Sequence, residues 1–137
     1  MTVRGRLTLP RAVRREIVAH ARRDRPIECC GLIVGTAGRA MFVVPMINTE
    51  KSRVRYRIDD KAHIELRRTL RGMRPGLSII GVYHSHPAGK AWPSATDIAE
   101  AMYPDWVYLI VGLGTGRAVL RAFQIGDRGV RSIIIVS

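Results

Sequence analysis

The stretch YHSHPAGKAWPSATD, residues 83–97, carries two histidines two positions apart, then a serine and an aspartate three positions apart. In an extended strand residues i and i+2 face the same side, so His84 and His86 project together while Ser85 points away. That spacing offers a metal two imidazole nitrogens from one strand. Pro87 ends the strand and leaves His86 at its mouth. Pro93 and Ser94 read as the entry to a helix whose first turn contains Asp97. Ser94 and Asp97 have an ordinary explanation, since a Ser-x-x-acid pair is close to a capping box and an acid in a first turn suits the helix dipole. Each histidine alone also reads as a hydrogen-bonded core or surface residue. Together, His84, His86 and Asp97 supply three ligands and leave a fourth position open, the layout of a catalytic zinc site. Zinc lowers the pKa of bound water toward ~7, and a hydrolase then needs a general base and a donor for the developing oxyanion.

The base must be a carboxylate near a strand end. Glu28 follows the break at Pro26 and directly precedes the apolar run CCGLIVG. Its ordinary reading is a solvated loop acid. Glu16, Glu65 and Glu100 fall inside predicted helices and suit their surfaces.

The elements that must hold these residues follow from periodicity. Residues 9–23 read as a helix with Val13, Ile17, Val18 and Ala21 on one face. CCGLIVG is a short buried strand, AMFVVPM a second strand, and VRYRI alternates like a third. DDKAHIELRRTLRGM reads as a second helix capped by Asp59 or Asp60, with Ala62, Leu66, Leu70 and Met73 along one side. LSIIGVYHSH is a strong strand running into the motif, and SATDIAEAM is a short third helix. WVYLIVGL, RAVLRAFQI and VRSIIIVS complete the strands, with glycine-rich turns between them. The order predicts one mixed α/β domain over residues 1–137, a largely central sheet with flanking helices, and the apolar strands near 79–83 and 107–111 in its middle. His20 and His63 read as helix-surface residues.

With these elements in place, HSHP, six residues, Ser94, two residues and Asp97 resemble the JAMM signature of the MPN+ zinc metalloproteases, and PIECCGLIVG is similar to the segment that carries that family's catalytic glutamate. The resemblance covers nearly the whole chain. It implies a cytidine-deaminase-like JAMM/MPN fold with one zinc held by His84, His86 and Asp97. It also implies that Glu28 holds the water and passes its proton to the leaving amine, and that Ser94 donates to the tetrahedral oxyanion. AHARRDRPIECCG, PMINTEKS and YRIDD are similar to the prokaryotic branch, which includes mycobacterial-type sulfur-carrier–cysteine hydrolases. That branch implies as substrate a ubiquitin-like or sulfur-carrier protein cut at its C-terminal Gly-Gly tail. Cys29, where relatives often have Ala, and the Trp92–Pro93 pair depart from the branch and alter the rim of the site.

Other classes compete on narrower grounds. Two histidines and a carboxylate also make the facial triad of non-haem iron oxygenases, where Glu28 and Ser94 have no task. The HxE and PCxxC ligands of nucleotide deaminases are missing. Lys plus Arg number 23 against 11 Asp plus Glu, a formal charge of +12. Such a charge attracts acidic proteins, nucleic acid or membrane surfaces. No aromatic residues interleave with the early arginines, so base stacking finds no platform and a solvated helix face accounts for them. A scaffold version of the fold, or a nucleic-acid binder using the arginines, is the non-enzymatic alternative. Adjacent Cys29 and Cys30 make a poor staple and read as small buried hydrophobes in a reducing cytoplasm. No apolar run approaches the ~18 residues of a membrane span, and the N-terminus lacks the apolar region of a signal peptide. A flexible carrier tail is expected to add a strand beside an exposed sheet edge near the site.

Overall fold

A computed structural model describes residues 5–73 and 75–137. Arg4, the first arginine of the basic run, and the other residues of the N-terminal stretch up to it lie outside the described residues. The order is β1 (Arg6–Thr8), α1 (Arg11–Asp24), β2 (Cys30–Thr36), β3 (Arg39–Met46), α2 (Asp60–Arg71), β4 (Ser78–His86), α3 (Ala95–Glu100), β5 (Val107–Gly112), β6 (Val119–Gly126) and β7 (Gly129–Val136).

The strands run β1-β3-β2-β4-β5-β6-β7 and close into a barrel. β4 and β5 pair in parallel in the middle of that order, as their continuous apolar sequences predict. Closure comes from β1, which pairs with β7 over Arg6–Thr8 but meets β3 only at Thr8↔Arg39. Three residues inside a charged run carry no periodicity, so β1 and the closure it makes were absent from the expected central sheet.

Two cores lie on either side of the central strands. α1 places Val13, Ile17 and Ala21 against Leu7, Ile33, Tyr83 and Leu109. On the other face, Leu66 and Leu70 of α2 pack with Leu32, Val82, Tyr108, Ile110 and Phe123. Alternation along β4 then sorts its end. Tyr83 joins the α1 core, while Val82 and the histidines after it belong to the α2 face. Gly31 of β2 is required here, because a Cβ would stand 2.3 Å from the Tyr83 ring. Gly112 plays the same part for the loop after β4, which crosses so closely that a Cβ would meet the Ala91 nitrogen at 2.6 Å.

The predicted strand VRYRI is not a strand. Residues 47–59 form a loop between β3 and α2 with no ladder partner. Its alternation is real, since Tyr56 and Ile58 turn inward while Arg55 and Arg57 are exposed. It arises from a segment laid across the α2 face, whose Arg55 carbonyl and Arg57 N–H bond to a side chain, Asn48, and whose Arg57 carbonyl accepts the Thr49 N–H of the same loop, with no strand ladder. α3 is also shorter than predicted, because Ala101 is already extended.

Candidate metal centre

His84 and His86 leave the end of β4 on the α2 face, and α3 brings Asp97 to meet them. The three ligand atoms converge. His84 Nε2 lies 3.2 Å from His86 Nε2 and 3.2 Å from Asp97 Oδ2, and His86 Nε2 lies 3.0 Å from the same oxygen. A tetrahedral zinc bound at ~2.0–2.1 Å holds its ligand atoms about 3.3–3.4 Å apart, so the donor set has the right size and chemistry. The tautomer agrees. His86 Nδ1 lies 2.7 Å from the Lys90 carbonyl, which can only accept, so Nδ1 carries the proton and Nε2 of the neutral ring presents its lone pair to the centre.

Asp97 Oδ2 also accepts the Ser94 N–H at 2.9 Å, and Ser94 Oγ accepts the Asp97 N–H at 3.0 Å, completing a capping box. The ordinary reading is therefore observed, and it is compatible with the ligand reading in the same pair of side chains. Ser94 spends a lone pair on the cap and keeps its hydroxyl hydrogen for another acceptor. Burial alone would raise the Asp97 pKa, but the His84 and His86 imidazoles against its Oδ2, together with the Ser94 amide, hold it far below the usual carboxylate range. Burial lowers the pKa of His84 despite Asp97. For His86 burial acts the same way, but Asp97 and the Lys90 carbonyl outweigh it and the pKa rises.

Glu28 is no solvated loop acid. It is only 3% exposed, and its Oε1 has no hydrogen-bond partner among the described residues. Cys30 pairs with His84 across β2 and β4, and extending that register by two residues sets Glu28 opposite His86. Burial pushes its pKa up to about 8; His86 pulls it down and Asp97 adds to the rise. A carboxyl that titrates near neutrality beside three candidate ligand atoms is suited to general-base work.

Sequence reading missed the residues that hold this arrangement. Ser85, pointing to the α1 side, accepts the Cys29 N–H with its Oγ at 2.8 Å and so fixes the peptide after Glu28. Tyr56 stacks on the His84 ring, centroids 4.4 Å apart. The Asn in PMINTEKS was the available signal for a loop with internal side-chain bonds. His20 is corrected as well. It is a buried residue, with Nδ1 2.6 Å from Tyr83 Oη and Nε2 3.0 Å from Asp24, because the long α1 face turns it onto β4. His63 is half-buried, edge-on to Tyr103. Both cysteines are free and buried, and burial raises their thiols to about 11 for Cys29 and about 12 for Cys30.

A mixed α/β barrel whose central strand delivers two histidines to a helix-borne aspartate defines a protein of the JAB/MPN class. Residues 10–126 match the family described as prokaryotic homologs of the JAB domain. The CysO-cysteine peptidase of Mycobacterium tuberculosis is 38% identical over 117 residues, covering 83% of this chain and 79% of that protein. A probable TtuB-protein conjugate cleaving protease of Thermus thermophilus is 37% identical over 115 residues, covering 83% of this chain and 75% of the relative. A solution structure of a Desulfitobacterium hafniense protein superposes with a TM-score of 0.85 at 32% identity, covering 95% of this chain and 91% of that one. The chain belongs to the prokaryotic JAB family, and it is a hydrolase of that family.

Proposed function

We propose that the chain is a zinc-dependent peptidase or isopeptidase that hydrolyses an amide at the C-terminal Gly-Gly tail of a ubiquitin-like or sulfur-carrier protein. The observation that carries this reading is the convergence of three ligand atoms at 3.0–3.2 Å beside a buried carboxyl with an unpartnered oxygen. His84, His86 and Asp97 would hold the metal. Bound there, zinc supplies a Lewis acid for the scissile carbonyl and makes water acidic enough to attack at neutral pH. Glu28 takes the proton of the attacking water on its free carboxylate oxygen and returns it to the leaving amine. Ser94 Oγ–H donates to the carbonyl oxygen as negative charge grows on it, while its lone pair keeps the cap on α3.

The names of the relatives support the substrate class, since one acts on a CysO-cysteine linkage and another on TtuB-protein conjugates. The net charge of +12 favours an acidic carrier surface, although near Tyr56 the exposed Arg55 and Arg57 are already paired with Glu100 and Asp60. Free Cys29 and Cys30 suit a reducing cytoplasm. No helix among the described residues is long and apolar enough to cross a membrane.

The test begins with metal content of wild type beside the His84→Ala/His86→Ala variant, purified without oxygen so that iron would be seen. About one zinc per chain, lost in the variant, supports the centre. Cleavage is then assayed on a diglycine-tailed carrier presented as a cysteine adduct, a peptide fusion and a lysine isopeptide. Failure to cut any of them with zinc bound would overturn the substrate assignment, and iron in place of zinc would overturn the hydrolytic one.

A further inference from the structure

The loop between β3 and α2 has neither helix nor strand, yet its polar groups are closely paired. Asn48, buried, is the reason. Its Nδ2 donates to the Glu28 carbonyl at 3.0 Å and to the Arg55 carbonyl at 2.9 Å. Its Oδ1 accepts the N–H groups of Glu50 and Arg57, both at 3.1 Å. One amide thus uses its full complement of two donors and two acceptor sites. Residues 55 and 57 flank Tyr56, whose ring lies on His84 at an interplanar angle of 24°. At the other end of the same amide, Glu28 is gripped through its carbonyl, and its N–H donates to the Ser52 carbonyl at 2.9 Å.

The two histidines are held differently. The His86 ring is fixed by the Lys90 carbonyl at Nδ1. His84 Nδ1 is buried with no hydrogen-bond partner among the described residues, so the bond that ordinarily sets a ligand imidazole's orientation is missing there. The flat contact with Tyr56 takes over that task. We infer that Asn48 is a positioning residue that fixes two groups of the centre at once, the base Glu28 through its carbonyl and the ligand His84 through the Tyr56 ring. This rests on the metal-centre reading above and adds to it a single side chain that couples the proton-handling and metal-holding halves.

Asn48→Asp is the sharpest perturbation. It keeps the acceptor for residues 50 and 57 and turns an oxygen toward the two carbonyls that Nδ2 now serves. Zinc affinity is measured by competition with a chromophoric chelator for wild type, Asn48→Asp, Tyr56→Leu, Tyr56→Phe and the Asn48→Asp/Tyr56→Leu double variant. Asn48→Asp and Tyr56→Leu should each bind zinc about 10-fold more weakly. Tyr56→Phe, which keeps the ring, should stay within about twofold of wild type. The double variant should be no weaker than Tyr56→Leu, because Asn48 reaches His84 only through that ring. The visible bands of the cobalt-loaded protein should shift in Asn48→Asp and Tyr56→Leu and not in Tyr56→Phe. With any carrier-tail substrate that wild type cuts, Asn48→Asp should lower kcat more than Tyr56→Leu at similar KM, since it also releases Glu28.

Unchanged zinc affinity in Asn48→Asp, or losses that multiply in the double variant, would overturn the inference. Should Asn48→Asp fail to fold, the tyrosine pair still decides: full zinc affinity in Tyr56→Leu overturns the coupling to His84. A wild type that binds no zinc would instead sink the metal centre itself, and the two failures are told apart by that first titration.

Discussion

Glu28→Gln should make the metal-free protein more stable, by an amount that grows with pH. The fold lifts the Glu28 pKa from the ordinary 4.5 to about 8, chiefly by burial, with an oxygen left unpartnered. A carboxyl raised in the folded state favours the fold fully below its unfolded pKa, and that advantage is lost as pH rises toward the folded value. Each pH unit across the interval costs the native state about 1.4 kcal/mol. Wild type at pH 7 should therefore have lost roughly 3 kcal/mol that the always-neutral glutamine does not lose, against about 1 kcal/mol at pH 5.5 by the same linkage. His84, His86 and Asp97 titrate in both proteins and largely cancel in the difference. Urea unfolding in chelator at pH 5.5, 7 and 8.5 measures the gap, and with an m-value of about 1–3 kcal/mol/M the midpoints should part by about 1–3 M at pH 7. Saturating zinc should narrow it, because a nearby dication favours the carboxylate. A gap that ignores pH, or a wild type more stable than the variant at pH 8.5, would refute the assignment of Glu28 as a buried, strongly perturbed carboxyl.

Asp97→Asn should weaken zinc binding by more than the roughly 10–100-fold of outer-shell changes, as read by calorimetric titration, because it removes the charge from an oxygen that three groups share. Ser94→Ala should keep its zinc, lose about 1 kcal/mol of stability with the cap, and fall about 100-fold in kcat on a cleavable carrier tail. Tyr83→Phe should cost about 1–3 kcal/mol in thermal unfolding, since it strands the buried His20 Nδ1, and should leave zinc affinity intact because Tyr83 faces α1.

The candidate ligand set was legible because it is local: HSH on a strand end and a capped aspartate are patterns of period 2 and of a first helical turn. Their convergence on one oxygen follows from side-chain geometry that no spacing encodes. Glu28 was legible as a misplaced acid before an apolar strand, and burial explains why it stands there. VRYRI misled because inward and outward alternation arises wherever an extended segment lies on a core, whether or not it has strand partners. His20 misled because a polar residue on an arginine-rich helix looks solvated until Tyr83, 63 positions away, supplies its partner. β1 escaped notice because three residues are too few to show a period, although they close the barrel.

The register of β2 on β4 has a consequence for the order in which the centre is built. Its candidate ligands come from residues 84–97, a span that a β-strand, a loop and one helical turn can bring together with little chain to search. Glu28 joins them only after β2 has docked on β4, a contact between residues more than fifty positions apart. On the proposed assignment, the metal-holding side chains are near neighbours in the chain, and the base reaches them only through the long-range pairing. With Glu28 as the proposed base, this hydrolase would have no complete proton-handling site until β2 lies on β4.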